Sequence, residues 1–253
     1  MNRSIALLAL VAAFLSPSAP ASEEFRLDRA PIDVRDVASL QAGARTFVNY
    51  CLNCHSASAM RYNRLEDLGL TEGQIRDNLM FAADKVGELM TISMTRKDAK
   101  DWFGVVPPDL SVIARSRGAD WLYTYLRAFY RDPGTATGWN NLVFPGVAMP
   151  HVLWQLQGER VMKEEVVKDS AGREIEDEHG NPRKQIRFET VTPGLMTAVE
   201  YDVLARDLVN YLAWMAEPNQ VTRKQTGIVV LFALFILVVL TYLLYREFWK
   251  DVH

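Results

Sequence analysis

Two thiols and an imidazole lie within five residues of one another in the segment Cys51-Leu52-Asn53-Cys54-His55. The Cys-x-x-Cys-His spacing lets both thiols bond the vinyl groups of one haem while the adjacent imidazole ligates the iron. The chain has two cysteines in all, so attachment would use every thiol and leave none for a structural disulfide. We therefore predict one covalently bound haem c, held by Cys51 and Cys54, with His55 as an axial ligand.

A dithiol redox pair and half of a zinc site are the alternatives for the same residues. A dithiol oxidoreductase usually places this motif at the N-terminus of a helix that follows a strand, whereas here a helical pattern runs into the motif. A closed zinc site needs further Cys or His residues nearby. The surroundings of the motif therefore favour haem attachment.

The sixth coordination position of the iron has to be filled from nine methionines and three other histidines. Met149 is the candidate we favour, because prolines on both sides of it in the segment 141–150 restrict the backbone and could hold a loop over the haem. His151 is the alternative, since an imidazole also ligates iron, although it would lower the potential relative to a thioether. Most methionines only fill a core. His179, in a charged segment, and His253, at the C-terminus, are poorer candidates.

Two long helices are predicted to position these residues. Apolar residues recur at helical spacing before the motif and predict a helix that carries Cys51 to the haem edge; they are Val37, Leu40, Ala44 and Phe47. Far along the chain, Thr197 to Glu200 forms a capping box, followed by an apolar stripe that ends before Pro218. We expect the two helices to pack together behind the haem.

Shorter helices are predicted after Thr71, where Gln74 completes a possible capping box, and after Asp120, running toward Tyr130. Strand signals are weak in all these regions. Residues 159–189 differ, because charges alternate with apolar residues around two turns, which predicts an exposed hairpin or long excursion. A solvated insertion without chemistry is the ordinary interpretation of that segment, and a subunit contact is the alternative.

The N-terminus has the pattern of an export signal. Residues 1–21 combine a positive start, a short apolar core and Ala19-Pro20-Ala21 before the expected cut, which predicts a cleaved signal peptide. An uncleaved anchor is the alternative, but the apolar stretch is short for a bilayer span.

A second apolar segment, Gly227 to Tyr245, contains no charged residue and is long enough to cross a bilayer. A buried soluble helix is the competing interpretation, but this segment is apolar on every side, and Tyr242, Tyr245 and Trp249 are placed for an interfacial belt. Basic residues flank both ends, so orientation follows from the export signal. We predict a periplasmic domain over residues 22–222 and, over 223–253, a transmembrane anchor with a short cytoplasmic tail, in a bacterial inner membrane.

The chain has a net charge of −3, and the predicted exported part is more acidic than the whole. This acidity disfavours nucleic acid as a partner and would suit a basic redox partner, although many exported proteins are acidic only for solubility.

Four segments in this order, followed by one membrane helix, resemble the cytochrome c1 family. They are the haem motif, Pro107 to Ser111, Phe144 to Pro150, and Tyr211 to Pro218. The similarity covers nearly all of the mature sequence. It implies a mainly α, cytochrome c-type haem domain with a hairpin-like insertion and one C-terminal transmembrane helix.

The resemblance also implies roles for individual residues. Cys51 and Cys54 would hold the haem, His55 and Met149 would be its axial ligands, Pro107 and Pro108 would pack against it on the His55 side, and Arg115 or Arg117 would meet a propionate. A solvated arginine is the ordinary alternative for either of the last two.

The function implied by the resemblance is that of the haem subunit of the bc1 complex, which works beside cytochrome b and a Rieske iron–sulfur protein. Electrons would pass from the Rieske cluster to a soluble or tethered c-type cytochrome, without an enzymatic reaction on this chain itself and within a dimeric assembly. Two other functions stay open at this point. One is a tethered carrier that serves an oxidase, and the other is a haem enzyme or gas sensor with a vacant sixth position.

Overall fold

The structure is a computed structural model that describes residues 26–169, 172–176, 180, 182 and 184–251. The predicted signal peptide, His179 and His253 lie outside these residues. Helices predominate over strands in the described part, so the predicted mainly α fold is confirmed.

Helix α1 spans Val37–Thr46 and begins at Asp36, whose carboxylate accepts a hydrogen bond from the Ser39 amide at 3.1 Å. The helix continues as a π-helical turn over Phe47–Cys51, which leads directly into the haem motif. The predicted apolar stripe is buried except at Val37, its first member. The sequence pattern therefore predicted correctly the helix and its position directly before Cys51.

The short helices lie in sequence between the two long helices, and three of them contact the second long helix. A 3-10 helix covers Tyr62–Leu68, and the next helices are α2 (Glu72–Asn78), α3 (Arg96–Phe103), α4 (Ile113–Arg117), α5 (Ala119–Arg127) and α6 (Trp154–Gln157). The capping box of Thr71 and Gln74 is confirmed at the start of α2. The helix predicted from Asp120 toward Tyr130 is confirmed, but it ends at Arg127.

Two short antiparallel strand pairs were not predicted. β1 (Ala57–Arg61) pairs with β2 (Leu89–Met90), and β3 (Phe129–Arg131) pairs with β4 (Trp139–Asn141). Strands of two to five residues are too short for alternation to be recognised in a sequence. Phe129 shows the consequence, because it leaves the predicted helix to become a buried strand residue opposite Asn141.

The excursion is a two-stranded antiparallel hairpin. Strand β5 (Gly158–Val166) pairs with β6 (Lys184–Pro193). Ion pairs of Lys163 with Glu189 and of Arg187 with Glu165 cross between the strands. The predicted hairpin is confirmed, and its pairing runs slightly beyond the limits 159–189.

Helix α7 spans Ala198–Ala216 and begins at the predicted capping box of Thr197 and Glu200. It packs along α1, as predicted, and the contact is closest at Gly43. A Cβ added there would lie 2.0 Å from the Asp207 carbonyl oxygen, so only a glycine permits this approach.

Helix α8 spans Gln220–Phe248. It is the one helix among the described residues that is long and apolar enough to cross a membrane, and its apolar segment makes no buried contact with the rest of the chain. It extends the predicted span by several residues at each end. Such a helix fits a membrane anchor.

Candidate haem site

The haem motif forms a tight loop at the end of the π-helical turn. The amides of Cys54 and His55 donate hydrogen bonds to the Cys51 carbonyl at 3.1 and 2.9 Å. Cys51 is buried, and Cys54 lies on the wall of an adjacent cavity. Single-turn π-helical insertions are frequent at functional sites, and here the turn sets the direction in which the motif leaves α1.

The chemistry of the thiols fits haem attachment better than the two alternatives. Both cysteines are free rather than joined in a disulfide. Burial, together with the charge of Cys54, raises the pKa of Cys51 to about 12, which disfavours for Cys51 the thiolate form that a redox-active cysteine needs. No group of three or more metal-binding side chains occurs among the described residues, so nothing there completes a zinc site.

The imidazole of His55 is oriented by a backbone carbonyl. Its Nδ1 lies 2.8 Å from the Pro108 oxygen. Because a carbonyl only accepts, Nδ1 must carry the proton, which leaves the lone pair on Nε2. Burial lowers the pKa of His55 and outweighs the Pro108 carbonyl and the Asp109 charge, so the ring is neutral at neutral pH. A neutral imidazole held by its second nitrogen is the usual form of a metal-ligating histidine.

A carboxylate holds the loop that supplies this carbonyl. Asp109 accepts hydrogen bonds from the Ser58 amide at 2.8 Å, the Ser58 hydroxyl at 2.7 Å and the Ser111 amide at 2.8 Å. The Leu110 amide donates to the Ser56 carbonyl at 2.8 Å. The loop is therefore tied to β1 and to the residue that follows His55. Burial alone would raise the pKa of Asp109, but the bonds from Ser111 and Ser58 outweigh it and lower that pKa.

A cavity of about 260 Å³ opens beside the motif. Its wall combines apolar and hydroxyl side chains with one carboxylate and one guanidinium; the lining residues are Cys54, Ser56, Ser58, Ile92, Met94, Thr95, Arg96, Ala99, Val106, Pro107 and Asp109. Pro107 thus lies on the wall, while Pro108 supplies the carbonyl for His55. A larger cavity of about 670 Å³ lies at the base of the hairpin, and none of the predicted site residues lines it.

Met149 lies in a loop that Asn141 anchors to α5. The Asn141 side chain is buried; its oxygen accepts from the amides of Val143 and Phe144, and its nitrogen donates to the Tyr125 carbonyl at 2.8 Å. Met149 is half-buried and packs against the main core. Several other methionines are buried in that core, as expected of ordinary core fillers; they are Met60, Met80, Met90 and Met215.

A tyrosine of α5 contacts the sulfur of Met149, and other aromatic rings pack against that tyrosine. The Tyr125 hydroxyl donates a hydrogen bond to Sδ at 3.3 Å. The Tyr125 ring is stacked on Trp121, with centroids 4.8 Å apart, and meets Phe129 edge to face at 5.0 Å. Burial raises the pKa of Tyr125, so its hydroxyl keeps its proton and remains a donor.

His151 lies in a different environment from Met149. It is 2 % exposed, its ring is stacked on Phe129 at 4.8 Å, and Trp139 covers its edge at 5.1 Å. Burial lowers its pKa to about 3. The ring therefore serves as a neutral part of an aromatic cluster, and its surroundings favour Met149 over His151 as the ligand.

The two candidate arginines point to different neighbours. The Arg117 guanidinium lies 5.2 Å from the ring centroid of Trp121 and 5.9 Å from that of Phe144, beside the Met149 loop. Arg115 instead lies close enough to Glu217 for its charge to help lower the pKa of that carboxyl, after the larger effect of the Arg223 hydrogen bond. The structure thus separates two residues that the sequence left equivalent.

Two contacts around the candidate ligands were missed by reasoning from the sequence. Tyr125 gave no signal, because an aromatic residue at helical spacing is most often a core residue. The hydrogen bonds that Asp109 accepts did have a signal in the sequence, since an Asp two residues before a Ser is typical of a local side chain–backbone turn. Its second partner, Ser58, lies 51 residues away in sequence and could not have been inferred.

Comparison with known proteins gives consistent matches over almost the whole chain. The sequence model described as the Cytochrome C1 family matches residues 28–171 and 185–252. A protein of Nitrosomonas europaea described as the gamma subunit of ammonia monooxygenase is 49% identical over 253 residues, which is 100% of this chain and 99% of that protein. Cytochrome c1 of Allochromatium vinosum is 47% identical over 228 residues, 90% of each chain. Cytochrome c1 of Rhodospirillum rubrum is 27% identical over 249 residues, 86% of this chain and 83% of that protein.

Proposed function

This chain belongs to the cytochrome c1 family, and from that premise we propose that it takes one electron from a Rieske iron–sulfur protein and passes it to a c-type cytochrome. Members of this family are haem-carrying electron-transfer subunits of the bc1 complex, beside cytochrome b, and they bind a covalently attached haem c. Cys51 and Cys54 are present for that attachment. The observation that carries the proposal is the orientation of His55, whose Nδ1 is bonded to the Pro108 carbonyl.

The proposed ligands are His55 and Met149, with Cys51 and Cys54 as the covalent attachment points. When bound, haem c supplies an iron that changes by one electron between its ferric and ferrous forms. His55 contributes a neutral imidazole whose rotation is restricted by Pro108, and Met149 contributes a thioether held by its loop and by Tyr125. Two such protein ligands would leave no open position on the iron for oxygen or peroxide, and a thioether ligand would raise the reduction potential.

Further residues are assigned to the surroundings of the haem. Pro107 lines the cavity beside Cys54, and Pro108 fixes His55, so both prolines belong on the histidine side. Arg117 is the proposed partner of a propionate, because it lies beside the Met149 loop on Trp121 and Phe144. A guanidinium suits a carboxylate through paired hydrogen bonds. Arg115 is assigned instead to the neighbourhood of Glu217.

The proposed topology has three parts. Residues 1–21 are removed as a signal peptide, residues 22–222 form the periplasmic haem domain, and residues 223–253 hold the anchor and a cytoplasmic tail. The exposed apolar surface of α8 supports the anchor, and the pattern of residues 1–21 supports export. Alkaline phosphatase fused after residue 222 should be active in whole cells, whereas fusion after the last residue should be inactive. The reverse pattern would contradict this topology.

Purification of the native membrane complex in a mild detergent tests the proposed role. The chain should accompany a b-type cytochrome and a Rieske cluster in a dimeric assembly that reduces a c-type cytochrome with quinol. Copurification with an oxygenase, as the description of the Nitrosomonas europaea relative would suggest, or with an oxidase alone would overturn the proposal.

An absorption spectrum with and without carbon monoxide tests the remaining alternative. The reduced protein should stay low-spin and bind carbon monoxide slowly. A high-spin, five-coordinate iron that binds the gas quickly would indicate a haem enzyme or sensor instead.

A further inference from the structure

The sulfur of Met149 has a hydrogen-bond donor in addition to its proposed metal. The Tyr125 hydroxyl lies 3.3 Å from Sδ. A thioether sulfur has two lone pairs and is a weak acceptor. One lone pair can therefore bind iron while the other accepts the hydroxyl proton, and the two interactions do not compete for the same electrons.

The position of this hydroxyl is fixed at several points. Trp121 stacks on the Tyr125 ring and Phe129 meets it edge to face, and Asn141, which also anchors the start of the Met149 loop, donates to the Tyr125 carbonyl. The ring is 8% exposed. The Asn141 side chain thus links the backbone of Tyr125 to the Met149 loop. This link adds to the hydrogen bond between the Tyr125 hydroxyl and the Met149 sulfur. These contacts restrict the orientation of the hydroxyl and keep it directed at the sulfur.

We propose that Tyr125 is a positioning residue that holds the Met149 thioether and raises the reduction potential through its hydrogen bond to Sδ. The inference rests on the proposed function, in which Met149 is the axial ligand. A proton shared with the sulfur withdraws electron density from it. The sulfur then stabilises ferric iron less, which favours the ferrous form. Hydrogen bonding to a ligand is one of the general means by which a protein adjusts the potential of a haem.

If Tyr125 had only a structural role, that role would depend on the packing of its ring and not on its hydroxyl. Phenylalanine keeps the ring and its contacts with Trp121 and Phe129, and it removes only the hydroxyl. Tyr125→Phe therefore separates packing from donation. Tyr123→Phe is the matched control, because Tyr123 is on the same helix, is equally buried and packs under the Arg127 guanidinium, 4.5 Å from the ring centroid.

The test uses the haem-loaded full chain within its native complex. Tyr125→Phe should shift the midpoint potential downward and alter the iron–sulfur charge-transfer band of the ferric protein, while Tyr123→Phe leaves both unchanged. The proposal is overturned if Tyr125→Phe has the potential and the band of the Tyr123→Phe control.

A second substitution reverses the sign of the expected effect. Incorporation of 3-fluorotyrosine at position 125 makes the phenol a stronger donor and should shift the potential upward, and a downward or absent shift would contradict the proposal. Met149→Ala distinguishes failure of this inference from failure of the ligand assignment. If Met149→Ala abolishes the charge-transfer band and Tyr125→Phe changes nothing, Met149 remains the ligand and only the role of Tyr125 is rejected.

Discussion

The two proposed ligands are held by different kinds of interaction. On the histidine side, hydrogen bonds orient the ligand; its residues are His55, Ser58, Pro108, Asp109 and Ser111. On the methionine side, one hydroxyl contacts the ligand sulfur, and packed aromatic rings and one buried amide hold the residue that carries this hydroxyl; its residues are Trp121, Tyr125, Phe129, Asn141 and Met149.

The difference between the two sides follows from the chemistry of each ligand. An imidazole has a second nitrogen that must be satisfied and that sets which nitrogen faces the metal, so a polar clamp is effective there. A thioether has no comparable group that a strong hydrogen bond could orient, because its sulfur is only a weak acceptor. The position of the Met149 thioether must therefore be set mainly by van der Waals packing, and the Tyr125 hydroxyl adds one polar contact to the sulfur. We therefore expect the histidine side to respond to pH and the methionine side to respond to packing.

The largest effect is expected when the methionine side loses its ligand. Met149→Ala should abolish the native low-spin spectrum, make carbon monoxide binding fast and stop quinol-dependent reduction of the c-type cytochrome, because the sixth position is opened. The measurement is visible spectroscopy with and without carbon monoxide. His151→Leu is the control and should keep the low-spin spectrum, since that ring is enclosed by Phe129 and Trp139. Loss of the spectrum in the control alone would reverse the assignment.

The next effect concerns the packing of α1 against α7, which supports both the histidine side and the methionine side. Gly43→Ala places a methyl group against the Asp207 carbonyl and should reduce the free energy of unfolding by about 3 kcal/mol, at the upper end of ordinary overpacking costs. Chemical denaturation of the protein checks the value. Gly73→Ala is the matched control, because Gly73 is also helical but has only the end of the Arg76 side chain within 4 Å. If Gly43→Ala reduces the free energy of unfolding only slightly, α1 and α7 can move apart at little cost in stability, which would contradict the prediction.

A smaller effect should distinguish the two sides by pH. Asp109→Asn should reduce the free energy of unfolding by about 1 kcal/mol near neutral pH, because the charged acceptor of three hydrogen bonds is lost from a site that remains in contact with solvent. The pKa of Asp109 is lowered by folding. Its stabilisation is therefore complete above the unfolded-state pKa and is lost as the pH falls through the folded-state pKa.

Denaturation of the wild type and of Asp109→Asn at a series of pH values tests this expectation. The difference between them should be constant near neutral pH and should vanish in acid. Asp101→Asn, an exposed position on α3, is the control. A difference that grows toward acid pH would show that the clamp does not act through the charged carboxylate.

The smallest effect concerns the arginine beside the methionine side. Arg117→Gln should lower the free energy of unfolding by about 0.5 kcal/mol through loss of its contacts with Trp121 and Phe144, and it should shift the midpoint potential by removing a charge near the haem. Arg115→Gln should leave the potential nearly unchanged. Spectroelectrochemical titration of both variants decides between them, and equal shifts would contradict the assignment of Arg117.

The sequence alone determined the parts of this protein that are encoded locally. The haem motif, the two capping boxes and the hairpin were predicted because each depends on residue types at short, regular spacing. The membrane helix was predicted for the same kind of reason, since about 20 consecutive apolar residues have few other uses.

Only the tertiary structure decided which residues meet across long separations. His55 and Pro108 are 53 residues apart and Tyr125 and Met149 are 24 apart, and no local pattern specifies such a pair. The different neighbours of Arg115 and Arg117 were equally beyond the sequence, because two residues of the same type on one short helix differ only in what packs against them. Contacts of this kind arise when the core closes around α1 and α7, so their identity depends on the packing of the whole domain.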